Sequence, residues 1–204
     1  MEPTIPPCRV RICDLVLYYL GSKTSPDRTK EDMAMKRGIA LAVAVGWLLS
    51  GHLAWAQKDE AKEHAELAKA LGTAKVSLQS GLSASAGAGK PISAKYEVED
   101  GKLQLSVYTM KGPAFSEVIV NHTTGKVART EAITSGDDLT AAKTQSEAMA
   151  KAKRSLRSVA DQAAKENKGY RVVSVMPALK DGHPVAEVTL VKGSEFKAVS
   201  EKLD

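Results

Sequence analysis

Three of the four histidines, two cysteines, two glycine-rich segments and a run of cations are the residues whose chemistry could amount to a function in this chain of 204 residues. Beyond residue 57 the histidines are His64, His122 and His183, spaced 58 and 61 residues apart. None has the short spacing of a metal-binding pair, and a metal or catalytic set needs partners that converge in space. His64 falls on a helix edge and the other two in turns, so they read as solvated or structural histidines unless the fold gathers them. Cys8 and Cys13 stand alone, two ligands short of a tetrahedral zinc site. Gly87-Ala88-Gly89-Lys90 has the look of a phosphate loop, but Ala84 sits where the first glycine belongs and Pro91 where Ser or Thr belongs. The segment also follows a helical pattern where a strand is required, and a connector fits it better. Gly81-Leu82-Ser83-Ala84-Ser85 lacks the closing glycine of a nucleophile elbow. These residues yield no catalytic, cofactor-binding or metal-binding assignment.

The cations are Lys143, Lys151, Lys153, Arg154, Arg157, Lys165 and Lys168, on a helical segment and away from its apolar stripe. Glu147, Asp161 and Glu166 are interspersed, which is the pattern of a solvated face. The alternative is docking to an acidic partner or weak contact with an anionic membrane. Asn121-His122-Thr123 is a glycosylation acceptor only in a eukaryotic secretory setting.

A stretch near the start fixes the compartment in which these residues are expected to work. Lys36-Arg37 precede twelve unbroken apolar residues at 38–49, and Ser50 to Ala56 make a more polar exit ending in Ala54-Trp55-Ala56. That order is a signal peptide over residues 35–56, cleaved between Ala56 and Gln57. The apolar run is short of the roughly 20 residues a membrane span needs, and the alternative is an uncleaved anchor that borrows Leu53 and Trp55. The chain is therefore expected in the periplasm or outside the cell. Residues 1–34 resemble no domain; two accounts fit them, a start recorded too far upstream or a cytoplasmic extension. Both cysteines fall there, so the mature part carries no thiol. Of 29 basic and 24 acidic side chains, residues 1–56 hold 7 and 5, leaving 22 against 19, a net of +3. That balance is too mild for a nucleic-acid partner.

The elements that must position the remaining residues come from an internal repeat. Ala74-Lys75-Val76-Ser77-Leu78-Gln79-Ser80 matches Ala152-Lys153-Arg154-Ser155-Leu156-Arg157-Ser158 at five of seven positions, 78 residues apart. Asp100-Gly101 and Asp181-Gly182, Lys111-Gly112 and Lys192-Gly193, Phe115 and Phe196, and Val118 and Val199 all match at a spacing of 81. Each copy opens on one amphipathic helix, marked by Leu67, Leu71, Ala74, Leu78 and Leu82 in the first and by Ala148, Ala152, Leu156, Val159 and Ala163 in the second. Asp137, Asp138 and Thr140 favour the start of the second helix and Gly169 its end. Alternating segments then follow, turned at the Asp-Gly and Lys-Gly pairs. The first copy closes with a strand after Gly125 that the second lacks, which would leave a sheet edge open there.

The first copy resembles the PepSY domain family. The resemblance rests on the helix, Tyr96-Glu97-Val98-Glu99-Asp100-Gly101, the Lys-Gly turn, and a closing Glu117-Val118-Ile119-Val120-Asn121-His122-Thr123-Thr124-Gly125-Lys126-Val127. Asn121 stands where the family commonly has aspartate. The likeness covers about residues 71–128 and reaches the second copy only through the repeat. It implies an exported, non-catalytic module of the kind found in protease propeptides, where it inhibits.

The fold expected is α+β: two tandem copies, each a helix packed on a small antiparallel meander, over residues 57–131 and, shortened, 137–204. The function expected is binding, with inhibition as one outcome, of another exported protein such as a protease, without cofactor. The alternative is an envelope scaffold or small-ligand sensor. Membrane contact is expected only through an uncleaved signal or the basic helix.

Overall fold

The computed structural model describes residues 52–204, with side chains from Glu60 onward. The extension at 1–34, the signal segment at 35–56 and the cleavage position at Ala56 and Gln57 lie outside the fully described residues. Among the described residues no helix is long and apolar enough to cross a membrane.

Helix α1 (His52–Ala70) runs through a short 3-10 turn (Leu71–Thr73) and a loop into α2 (Leu78–Ala84). Four strands follow: β1 (Lys90–Glu99), β2 (Lys102–Lys111), β3 (Ala114–Val120) and β4 (Val127–Ile133). Helices α3 (Gly136–Lys151) and α4 (Leu156–Glu166) lead to β5 (Arg171–Lys180), β6 (His183–Lys192) and β7 (Glu195–Lys202).

The seven strands form one antiparallel sheet in the order β4-β3-β2-β1-β5-β6-β7. This corrects the expected fold. The chain is not two helices each on its own small meander; β1 and β5 pair directly, Ala94 with Val175 and Lys95 with Ser174, and fuse both sets of hairpins into a single sheet. The physical reason is the burial of β1. Ile92, Ser93, Ala94, Lys95 and Tyr96 are all buried, a run that only a central strand covered on both faces can have. A meander of β1 to β4 alone would leave β1 an unpaired edge with a buried lysine.

The helices are also corrected. Each expected single helix is two, because Ser77 and Ser155 adopt extended backbone and accept a hydrogen bond from the N–H of Ser80 and of Ser158, starting a new helix. The N–H groups of Lys75 and Val76 leave the helical ladder for the carbonyl of His122, and those of Lys153 and Arg154 for that of Leu203.

The register places Ala94, Tyr96, Leu105, Val107, Val118, Val120, Val175 and Val188 on one face of the sheet. Helix α2 lies on that face, where Gly81 sits so close to Leu105 that a Cβ would fall 2.5 Å from its side chain. Helix α4 lies beside it, its Arg157 donating to Ser83 Oγ at 2.7 Å. Leu78, Leu82, Leu156 and Val159 are buried there, each contributing roughly 1.5–3 kcal/mol. The other face carries Lys95, Ser106, Ser174, Tyr108 and Glu117. Helix α3 reaches it, where Tyr108 Oη donates to Asp138 Oδ1 at 2.7 Å. Helix α1 reaches it through His64, stacked on Phe196 with ring centroids 4.0 Å apart.

The tight hairpins are those read from the sequence. Asp100 and Gly101 take φ of 51° and 73°, and Asp181 and Gly182 take 51° and 80°. Two consecutive left-handed residues make the turn that matches strand twist.

Candidate functional site

The fold scatters the histidines. His64 stacks on Phe196; His122 sits in the turn after β3, where its carbonyl accepts from Lys75 and Val76; His183 opens β6 with Nδ1 3.3 Å from Asp204 Oδ2. Among the described residues no three or more His, Cys, Asp or Glu come together as metal ligands. The segment 87–90, which reads as a connector, closes a 3-10 turn at Gly87 and opens β1 at Lys90. Gly89 is there for close approach, since a Cβ would meet the Met110 carbonyl oxygen at 2.7 Å.

Two polar constellations are present that local sequence did not disclose. On the face reached by α3, Lys95 Nζ lies 2.7 Å from Glu97 Oε2, Ser106 donates to Glu117, and Tyr108 donates to Asp138. Gln145 Oε1 on α3 is buried without a hydrogen-bond partner among the described residues. The row fixes register and helix position, because an ion pair or hydroxyl in a buried layer must find its own partner. At the junction of the halves, Arg171 donates to the carbonyls of Leu71, Ala74 and Val76 at 3.3, 3.3 and 2.6 Å and to Tyr96 Oη at 3.0 Å. Its guanidinium stands 5.0 Å from the Tyr96 ring centroid, and Tyr96 Oη donates in turn to the Val76 carbonyl. Burial pushes the Tyr96 phenol above its ordinary value, and Arg171 opposes the rise. At the surface, a hydrogen bond to Glu195 raises the Tyr170 phenol.

The cations expected on one helix are divided by the break at Ala152–Ser155. Lys151 donates to the Gly182 carbonyl at 3.3 Å. Lys153, Arg154 and Arg157 instead turn to an open cleft of about 540 Å³ at the end of the sheet, and Lys90, from the start of β1, joins them. Its floor is apolar, with Leu82, Pro91, Met149 and Leu156. Lys90 entered the sequence reading only as part of a failed phosphate loop; the signal that could place it is the three-dimensional return of β1 beside α3.

The third feature is backbone. Strands β4 and β7 are the two outer strands of the sheet, so one side of each carries N–H and C=O groups that no described strand pairs. Nearly every residue of β4 is exposed, and β7 is exposed except at half-buried Phe196, Val199 and Glu201.

Compared with known proteins, the chain matches no family model, no curated protein and no solved structure.

Proposed function

We propose that this chain is an exported, non-catalytic binding module that engages another exported protein, a protease being the kind expected, by strand addition at β7. The observation that carries the reading is the position of β7, eight residues long and outermost in the sheet. A strand of that length offers a partner main-chain hydrogen bonds for affinity and alternate side chains for specificity. The export pattern at residues 35–56 supports the compartment, and the PepSY resemblance over residues 71–128 supports a module without turnover of its own. Where the engaged protein is an enzyme, occupation of its substrate-binding strand makes the module an inhibitor.

The test is to immobilise the chain from Gln57 onward, capture proteins from the exported fraction, and assay any captured enzyme with and without the module. The expected result is a defined partner whose activity responds to the module. Specific turnover of a small substrate by the purified module, with no partner retained, would overturn the reading.

A further inference from the structure

We propose that the cleft at the end of the sheet is a binding site for an anionic amphiphile, a carboxylate attached to an extended apolar chain. The site adjoins the end of β7, where Arg154 meets the Lys202 carbonyl, but it does not use the strand's pairing edge. Its volume of about 540 Å³ lies within the span of small-molecule sites, which pair an apolar lining with a few converging polar groups. The floor supplies the apolar part: Ala86 is exposed and Pro91 and Ala152 are half-buried there, backed by the core side chains of Leu82, Met149 and Leu156, exposed only 3, 3 and 2 %.

The rim supplies the charge. Lys90, Lys153, Arg154 and Arg157 line the cleft, and no aspartate or glutamate does. Their contacts leave the positive charge largely uncompensated. Lys90 Nζ donates to the Met149 carbonyl at 3.2 Å. Arg154 donates to the Lys202 carbonyl at 2.9 Å and to the Gln162 side chain, both neutral. Arg157 has Asp161 3.8 Å away, at an exposed position, a contact of small worth in water. Cations concentrated over an apolar wall raise the local potential and select against a cationic or neutral head. An acidic peptide would satisfy the rim but not the floor; a neutral hydrocarbon would satisfy the floor but not the rim. Only a molecule with both ends uses the whole site.

The probe is dodecanoate below its micelle concentration, titrated calorimetrically into the chain from Gln57 onward, with dodecyltrimethylammonium, acetate and triglutamate as comparisons. Saturable one-to-one binding of dodecanoate is expected, with each comparison about tenfold weaker or more. Lys153→Glu and Arg157→Glu should each weaken dodecanoate about tenfold, while Lys102→Glu, at the turn between β1 and β2 at the opposite end of the sheet, should leave it unchanged. Circular dichroism establishes that each variant is folded, and Arg157→Gln replaces Arg157→Glu if the latter is not. Equal binding of dodecyltrimethylammonium, equal binding of triglutamate, or equal weakening by Lys102→Glu would each overturn the assignment.

Discussion

Arg171 holds together segments that are far apart in the chain, and it does so with one side chain. Its guanidinium ties the loop between α1 and α2 to β5 and lies against Tyr96 of β1. Arginine suits this role because a planar fork of donors can serve several carbonyls at once and still pack on an aromatic face. Tyr96→Phe keeps the ring but removes the hydroxyl that donates to Val76 and accepts from Arg171. The variant should lose about 0.5–1.5 kcal/mol, the net worth of the lost hydrogen bonds, because the Val76 carbonyl keeps Arg171 and Arg171 keeps its carbonyls. It should also blunt the alkaline fall in stability. The Tyr96 phenol is raised above its ordinary value of 10.0, so above about pH 10 the unfolded chain releases a proton that the folded chain retains. Stability from this group is therefore complete below that pH and falls as pH rises past it. The Tyr170 phenol is raised as well, so some alkaline dependence remains. Urea denaturation of both proteins at pH 8 and at pH 10.5 checks this; parallel losses in wild type and variant would contradict it. None of this was legible locally, since Arg171 is an ordinary strand-opening cation until β5 lies beside β1.

At the scale of elements, the hairpins were legible and the helices only partly so. Asp-Gly pairs between alternating segments declare their turns, and the structure has both at the expected residues with left-handed backbone. The first half of β1 is not legible in the sequence because Ser93 and Lys95 break the apolar pattern, and they do so because they face a polar layer rather than the core. The apolar stripes from Leu67 to Leu82 and from Ala148 to Ala163 run across a break in each case, since period alone cannot show where a serine cap and a tertiary carbonyl divide a helix. The basic run was read on one face for the same reason, whereas the break sends Lys153, Arg154 and Arg157 to the cleft. Leu78 opens α2 and Leu156 opens α4, with exposures of 0 and 2 %. Truncating either to alanine should cost about 2–5 kcal/mol if the site cannot collapse, measured by chemical denaturation. Wild-type stability in either variant would contradict this packing.

For the whole molecule, the pairing of β1 with β5 decides how the chain unfolds. The repeat in the sequence pointed to two like units, and many matched positions do adopt matched local conformations, as Ser77 and Ser155 do. What the repeat does not encode is whether its copies stand apart or share a sheet. That depends on a contact between residues some eighty positions apart, such as Ala94 and Val175. With one sheet and one buried cluster drawn from both sets of strands, Leu78→Ala and Leu156→Ala should lower the same cooperative transition. A fragment of residues 57–135 should not fold alone, because it would expose one side of β1 and the floor that α4 covers. Two separable transitions, or a cooperatively folded fragment, would contradict the single sheet.

The binding reading is tested most directly at the edge itself. The chain from Gln57 onward contains no cysteine, so a cysteine at exposed Ser200 on β7 gives a unique attachment point for a short photo-crosslinker. A second variant carries it at exposed Thr123, in the turn between β3 and β4. Exposed to the exported fraction and illuminated, the Ser200 probe should join the module to one discrete partner that the Thr123 probe does not capture. Equal capture from both positions, or a partner joined only from Thr123, would contradict strand addition at β7.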